Sequence, residues 1–90
     1  MAFTPLFERG EIRQTEAAIT RLTTDQRVDL IIRHITGDWT EMADCDAQNN
    51  VRNAREGGEI ISLYWRNGTD WIVRTDAARS VTTLSHGNEA

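Results

Sequence analysis

Glu59 to Leu84 read EIISLYWRNGTDWIVRTDAARSVTTL. Two runs rich in β-branched and aromatic residues, Ile60 to Arg66 and Thr69 to Thr75, are joined by Asn67-Gly68. That pair accepts the positive φ angles of a type I′ turn at little cost, so the reading is a β-hairpin. A two-residue loop sets Tyr64 opposite Trp71 and Leu63 opposite Ile72. A longer, four-residue loop would shift the partners but keep the faces. A third run, Ser80 to Leu84, follows the loop Asp76-Ala77-Ala78-Arg79. The expectation is an α+β domain: a C-terminal three-stranded antiparallel meander with two to three short helices packed on it.

Alternation divides the hairpin into two faces. One carries Ile61, Leu63, Trp65, Ile72 and Arg74; the other carries Ile60, Ser62, Tyr64, Arg66, Trp71, Val73 and Thr75. Both are substantially apolar, whereas a half-exposed sheet alternates cleanly. The favoured expectation is that helices cover both sides, the ordinary way to bury a sheet. The alternative leaves one face partly exposed for a partner.

Working outward, Met1 to Gly10 reads as an irregular arm pinned by its aromatic residues Phe3 and Phe7, and Glu11 to Arg13 as a short edge strand. Thr15 is placed to cap a short helix carrying Ala17, Ala18, Ile19 and Leu22. Thr23 and Gln26 have capping-box spacing before a helix over Asp25 to Ile35. Its apolar stripe is read as Val28, Ile31, Ile32 and Ile35, and Gly37 suits the left-handed residue that ends it. A third helix is expected over Asp44 to Arg55, with Ala47, Val51 and Ala54 inward and Gly57-Gly58 as its stop. The tail from Ser85 to Ala90 is polar and expected to fray. The 90 residues make one domain.

Composition narrows the function. Net charge is −4 and all ten basic residues are arginine. A free-standing nucleic-acid binder usually carries a basic surplus, because phosphate neutralisation supplies most of its affinity. No apolar run reaches the ~18 residues of a membrane span, and the first residues lack the pattern of a secretion signal. Cys45 is the only cysteine, so no internal disulfide is possible, and a cytoplasmic location is expected. The possible metal ligands His34, His86 and Cys45 lack the close pairing of a zinc site, so neither metal nor cofactor is expected.

Three groups of residues could carry chemistry. His34, Asp38 and Trp39 converge at one helix end, where an Asp could orient the imidazole as a general base; equally, His34 could cap helix carbonyls while Trp39 plugs the core. Asp46 and Asn50 share one face of the third helix. Arg79 with Ser80, Thr82 and Thr83 offers an arginine and hydroxyls of the kind a phosphoryl-transfer site uses. Separately, Asp38, Glu41, Asp44 and Asp46 form an acidic run with no basic residue among them.

HITGDW, Asp46 and Asn50, the glycine pair leading into Ser62 and Tyr64, and WIVRTDAARSVTTL together resemble a family of small bacterial proteins. These are carried largely on plasmids and integrative elements, and some are associated with restriction systems by gene neighbourhood. The resemblance covers about Ile35 to Leu84. Ala78 stands where that family more often has Asp before Arg-Ser, and SHGNEA replaces its Leu-rich acidic ending.

Two functions follow as expectations. The first, leaning away from an enzyme, is an interaction protein from a mobile element that inhibits a host defence nuclease, of anti-CRISPR or anti-restriction type. Its contact residues would be Asp38, Trp39, Glu41, Asp44, Asp46, Trp65 and Trp71, with a protein partner, no direct nucleic acid, no membrane and room for a homodimer. The second is a small metal-independent endoribonuclease using His34 as base and Arg79 on phosphate, with Tyr64 and Thr83 auxiliary.

Overall fold

A computed structural model describes residues 4–89. The chain runs β1 (Glu11–Gln14), α1 (Glu16–Arg21), α2 (Thr24–Thr36), α3 (Asp44–Glu56), β2 (Ile60–Arg66), β3 (Thr69–Thr75) and β4 (Val81–His86), then a 3-10 turn over Gly87–Glu89. The fold is α+β, with one sheet ordered β1-β4-β3-β2. β2, β3 and β4 form the antiparallel meander, with Tyr64 opposite Trp71 and Leu63 opposite Ile72. Asn67 (φ 55°) and Gly68 (φ 79°) form the tight turn that sets this register. β1 adds to the far edge, parallel to β4, with Glu11 opposite Val81.

The helix caps follow their side chains. Thr15 Oγ1 accepts from the Ala18 N–H, and Thr23 and Gln26 form the reciprocal capping box. Gly37 ends α2 in the left-handed region (φ 80°), where a Cβ would also collide with Leu6. The tip of the β2–β3 hairpin docks on the α1–α2 junction: Asn67 Nδ2 donates to the Arg21 carbonyl at 3.0 Å, and Gln26 Nε2 donates to Asn67 Oδ1 at 3.0 Å.

The core lies on one face of the sheet. Ala18, Leu22 and Leu30 pack on Tyr64, Trp71, Val73 and Leu84, and beside them Phe7, Ile35, Trp39 and Ile60 form a second cluster. The expectation that helices cover both faces is therefore corrected. Ile61, Leu63, Trp65, Ile72 and Arg74 lie on the uncovered face, with Leu63, Trp65 and Arg74 exposed. α1 and α2 share the core face, whereas α3 lies along the β2 edge. The stripe expected of α2 is also corrected. Leu30, His34 and Ile35 are its buried residues, Ile31 and Ile32 are half-buried, and Val28 is 50% exposed. Ile35 belongs to both sets, but the buried face is turned toward Leu30 and His34, and hydrophobicity alone misses it because it contains a histidine.

Phe7 pins the N-terminal arm as expected, and the Leu6 N–H donates to the Ile35 carbonyl; Phe3 lies outside the described residues. The tail does not fray where described. β4 continues to His86, and the Glu89 carboxylate accepts from Thr15 Oγ1 at 3.0 Å and from the His86 N–H at 2.8 Å.

Candidate functional site

His34 is fully buried in the second half of α2, away from Asp38. Its Nδ1 lies 2.5 Å from Ser62 Oγ and its Nε2 2.8 Å from Thr75 Oγ1. These contacts belong to a longer chain whose polarity can be deduced. At one end the Trp39 indole, which can only donate, reaches Ser62 Oγ at 2.6 Å. At the other, Thr82 Oγ1 donates to the Arg9 carbonyl, which can only accept, at 2.7 Å. Thr75 must then donate to Thr82, at 2.6 Å, and accept from His34 Nε2–H. The Thr75–Thr82–Arg9 end requires a proton on Nε2. With the buried ring neutral, Nδ1 is bare and accepts from Ser62, and five hydrogen bonds run in one direction through the core. Burial first, and the Arg79 charge second, lower its pKa to about 3, which agrees.

His34 thus neither caps the helix carbonyls nor engages Asp38, and no solvent path serves it as a base. The other residues of the ribonuclease reading do not assemble around it. Tyr64 is buried and donates to the Asp38 carbonyl at 2.9 Å, and burial raises its pKa. Arg79 donates to three backbone carbonyls, Gly58 at 2.6 Å, Asn53 at 2.8 Å and Asp76 at 3.1 Å, and lies over the Phe7 ring at 5.5 Å. Those bonds fasten the end of α3 to the β3–β4 loop. Thr83 alternates with the buried Thr82 and so faces the open side of the sheet.

The acidic run divides in two. Asp38 pairs with Arg33 at 2.5 Å and Glu41 with Arg66 at 3.0 Å. Asp29 bridges the two arginines, bonding Arg33 at 2.9 Å and lying 3.8 Å from Arg66. Hydrogen bonds from Thr40, foremost its hydroxyl, and the Arg33 charge lower the Asp38 pKa. The basic residues missing within the run come from α2 and the hairpin. Asp44 and Asp46, in the first turn of α3, are exposed and make no ion pair among the described residues.

The tryptophans divide likewise. Trp39 and Trp71 are buried, Trp71 donating to the Arg66 carbonyl at 3.0 Å, so neither serves as a contact residue. Trp65 is 59% exposed on the open face beside exposed Leu63. A groove of about 500 Å³ runs along this face, floored by Ile61, Leu63 and Ile72 and walled by α3 through Asp46 and Asn49. Asn50, expected on the same helix face as Asp46, is buried against the edge of β2, whereas Asp46 is exposed.

Of the candidate contact residues, Asp44, Asp46 and Trp65 are exposed with no ion pair among the described residues, whereas Glu41 is exposed but held by Arg66. Sequence reasoning missed Ser62, Thr75 and Thr82 as partners of His34. The available signal was polar residues at core-face positions among Ile60, Tyr64, Trp71 and Val73. Among the described residues there is no cluster of His, Cys, Asp or Glu able to hold a metal ion, and no helix long and apolar enough to cross a membrane. No family model, curated protein or solved structure matches the chain.

Proposed function

We propose that the protein is a non-enzymatic interaction module whose working surface is the open sheet face together with the acidic start of α3. The observation that carries this reading is Trp65, a large aromatic side chain left outward on an apolar face that also presents Leu63. Tryptophans so placed are frequent anchors of protein interfaces. Asp44 and Asp46, free of intramolecular pairs among the described residues, add the charge that steers a basic partner.

The partner that suits this charge is a basic, nucleic-acid-binding groove on another protein. With a net charge of −4 and the resemblance to proteins of mobile elements, the specific reading is an inhibitor of a host defence nuclease, of anti-CRISPR or anti-restriction type, acting in the cytoplasm. Occupying the groove would exclude the nucleic acid without chemistry.

The test is co-purification of tagged wild type and Trp65→Ala from the host through a salt wash, with mass spectrometry and measurement of oligomeric state. A stoichiometric nuclease subunit retained by wild type and lost from Trp65→Ala supports the reading. A homodimer that dissociates on Trp65→Ala would assign the face to a second copy instead. Monomeric wild type with no specific partner would count against an interaction module.

A further inference from the structure

We propose that the groove between α3 and the open face of β2 receives an arginine side chain from the protein partner. The inference rests on the interaction reading and specifies what the surface recognises. The groove has an apolar floor and a lining that carries two carboxylates, Asp46 and Glu59, against one guanidinium, Arg52; Glu59 lies 3.6 Å from Arg74, which leaves Asp46 as the unpaired charge among the described residues. Ile61, Leu63 and Ile72 would carry the aliphatic stem. The wall's asparagines are already engaged: Asn50 with the Ile61 backbone, Asn53 Nδ2 with the Glu59 carbonyl at 2.9 Å, and Asn49 Oδ1 with Arg52 at 2.7 Å.

The remaining acceptors come from two sides. The Asp46 carboxylate is exposed and unpaired among the described residues. The second acceptor is backbone. Asn50 takes the N–H and C=O of Ile61, and Glu41 takes the N–H of Trp65, so odd-numbered residues of β2 direct their backbone groups away from β3. Leu63 has the same parity, and no side chain among the described residues occupies its carbonyl.

A planar guanidinium offers several donors in a fixed fork and is weakly hydrated, so it can serve a carboxylate and a carbonyl while its stem rests on apolar surface. Lysine presents a compact, strongly hydrated charge and would fit less well. A nucleic-acid phosphate would meet Asp46 with the wrong sign.

The probe is a short capped peptide with a central arginine, titrated at low salt into the intact 15N-labelled protein. Its control replaces arginine with citrulline, which keeps the shape but removes the charge. Saturable shifts of the Ile61, Leu63, Ile72 and Asn49 amides are expected, with binding about fivefold weaker for citrulline and for Asp46→Asn. The Asp46→Asn spectrum should otherwise remain that of the folded protein. No binding, equal binding of the citrulline peptide, or shifts centred on Val28 to Ile32 would overturn the proposal. A partner lost from Trp65→Ala but held equally by Asp46→Asn would also overturn it while sparing the interaction reading. Groove binding by the arginine peptide without a cellular partner would support the site and count against the broader function.

Discussion

Asn50 Nδ2 donates to the Ile61 carbonyl at 2.7 Å while its Oδ1 accepts the Ile61 N–H at 3.1 Å. One side-chain amide thereby pairs with the backbone of β2 as a neighbouring strand would. β2 is an edge strand, and an unpaired edge is a template for association with other chains. Asn53 on the Glu59 carbonyl and Glu41 on the Trp65 N–H extend the cover, leaving Leu63 between them.

Asn50→Ala removes both partners of a partly buried backbone unit. It should cost about 1–3 kcal/mol, read as a lower urea midpoint with an unchanged slope. Asn50→Asp can still accept the N–H but opposes its charge to the carbonyl, and should be no more stable at pH 7. Wild-type stability in both variants would mean that the amide pairing contributes nothing.

The hydrogen-bond chain makes stability depend on pH through His34. Its folded pKa is about 3, below the ordinary value of 6.5, so between these values the unfolded chain binds more protons. Stability is therefore fully present above pH 6.5 and falls as pH drops toward 3. At pH 5 the loss is about 2 kcal/mol by proton linkage. Denaturant unfolding at pH 7.5 and 5 reads this difference, and His34→Gln should flatten it while lowering stability at both. The imidazole 15N signals should show a bare Nδ1 and protonated Nε2. An Nδ1–H tautomer would contradict the deduced direction.

Much of the fold was legible because local signals agreed. The Asn67-Gly68 turn, the Thr23–Gln26 box and Gly37 each impose a backbone geometry through chemistry contained in a few adjacent residues. The orientation of α2 was not legible, since its apolar stripe included exposed Val28 and omitted buried His34. Ser62 and Thr75 make that burial tenable, but they lie far along the chain. The acidic run misled for a related reason: Arg33 and Arg66 neutralise Asp38 and Glu41 only after folding. Of the candidate contact residues, Asp44, Asp46 and Trp65 present exposed side chains with no ion pair among the described residues. The sequence offered both covered and open sheet faces, and the packing of α1 and α2 on a common face decides between them.

Arg79 adopts φ 60°, which is unfavourable for a residue with a Cβ, and uses its guanidinium on three carbonyls. Losing the side chain should destabilise the protein, but glycine would also relieve the left-handed backbone. Arg79→Gly should therefore be about 1 kcal/mol more stable than Arg79→Ala, with both below wild type in chemical denaturation. Equal stability of all three would remove the latch argument.

The free part of the acidic run separates steering from folding. Asp44→Lys with Asp46→Lys should weaken a basic partner most at low salt, where screening is least, and lower the association rate more than it raises the dissociation rate. Glu41→Lys should instead destabilise the protein, because it breaks the Arg66 pair and the bond to the Trp65 N–H. Binding kinetics across a salt series, alongside urea unfolding, distinguishes the two. A salt-independent loss would argue against electrostatic steering.

Trp65 and Trp71 have opposite relations to solvent, and substitution separates their roles. Trp71 is fully enclosed, its ring set edge-on to His86 at 5.1 Å, and Trp71→Ala should cost about 3–5 kcal/mol through the cavity it leaves. Trp65 is more than half exposed, so Trp65→Ala should change stability by only about 0.5 kcal/mol or less. Its loss should nevertheless weaken partner binding by about 2 kcal/mol or more if it is the anchor. Acrylamide quenching provides a measurement on the free protein: Trp65→Phe should remove most of the accessible fluorescence, leaving the protected emission of Trp39 and Trp71. If accessible emission persists in that variant, another tryptophan reaches solvent and the open face is not as described. If quenching behaves as expected but partner affinity is unchanged by Trp65→Ala, the face is open and the anchor lies elsewhere on it.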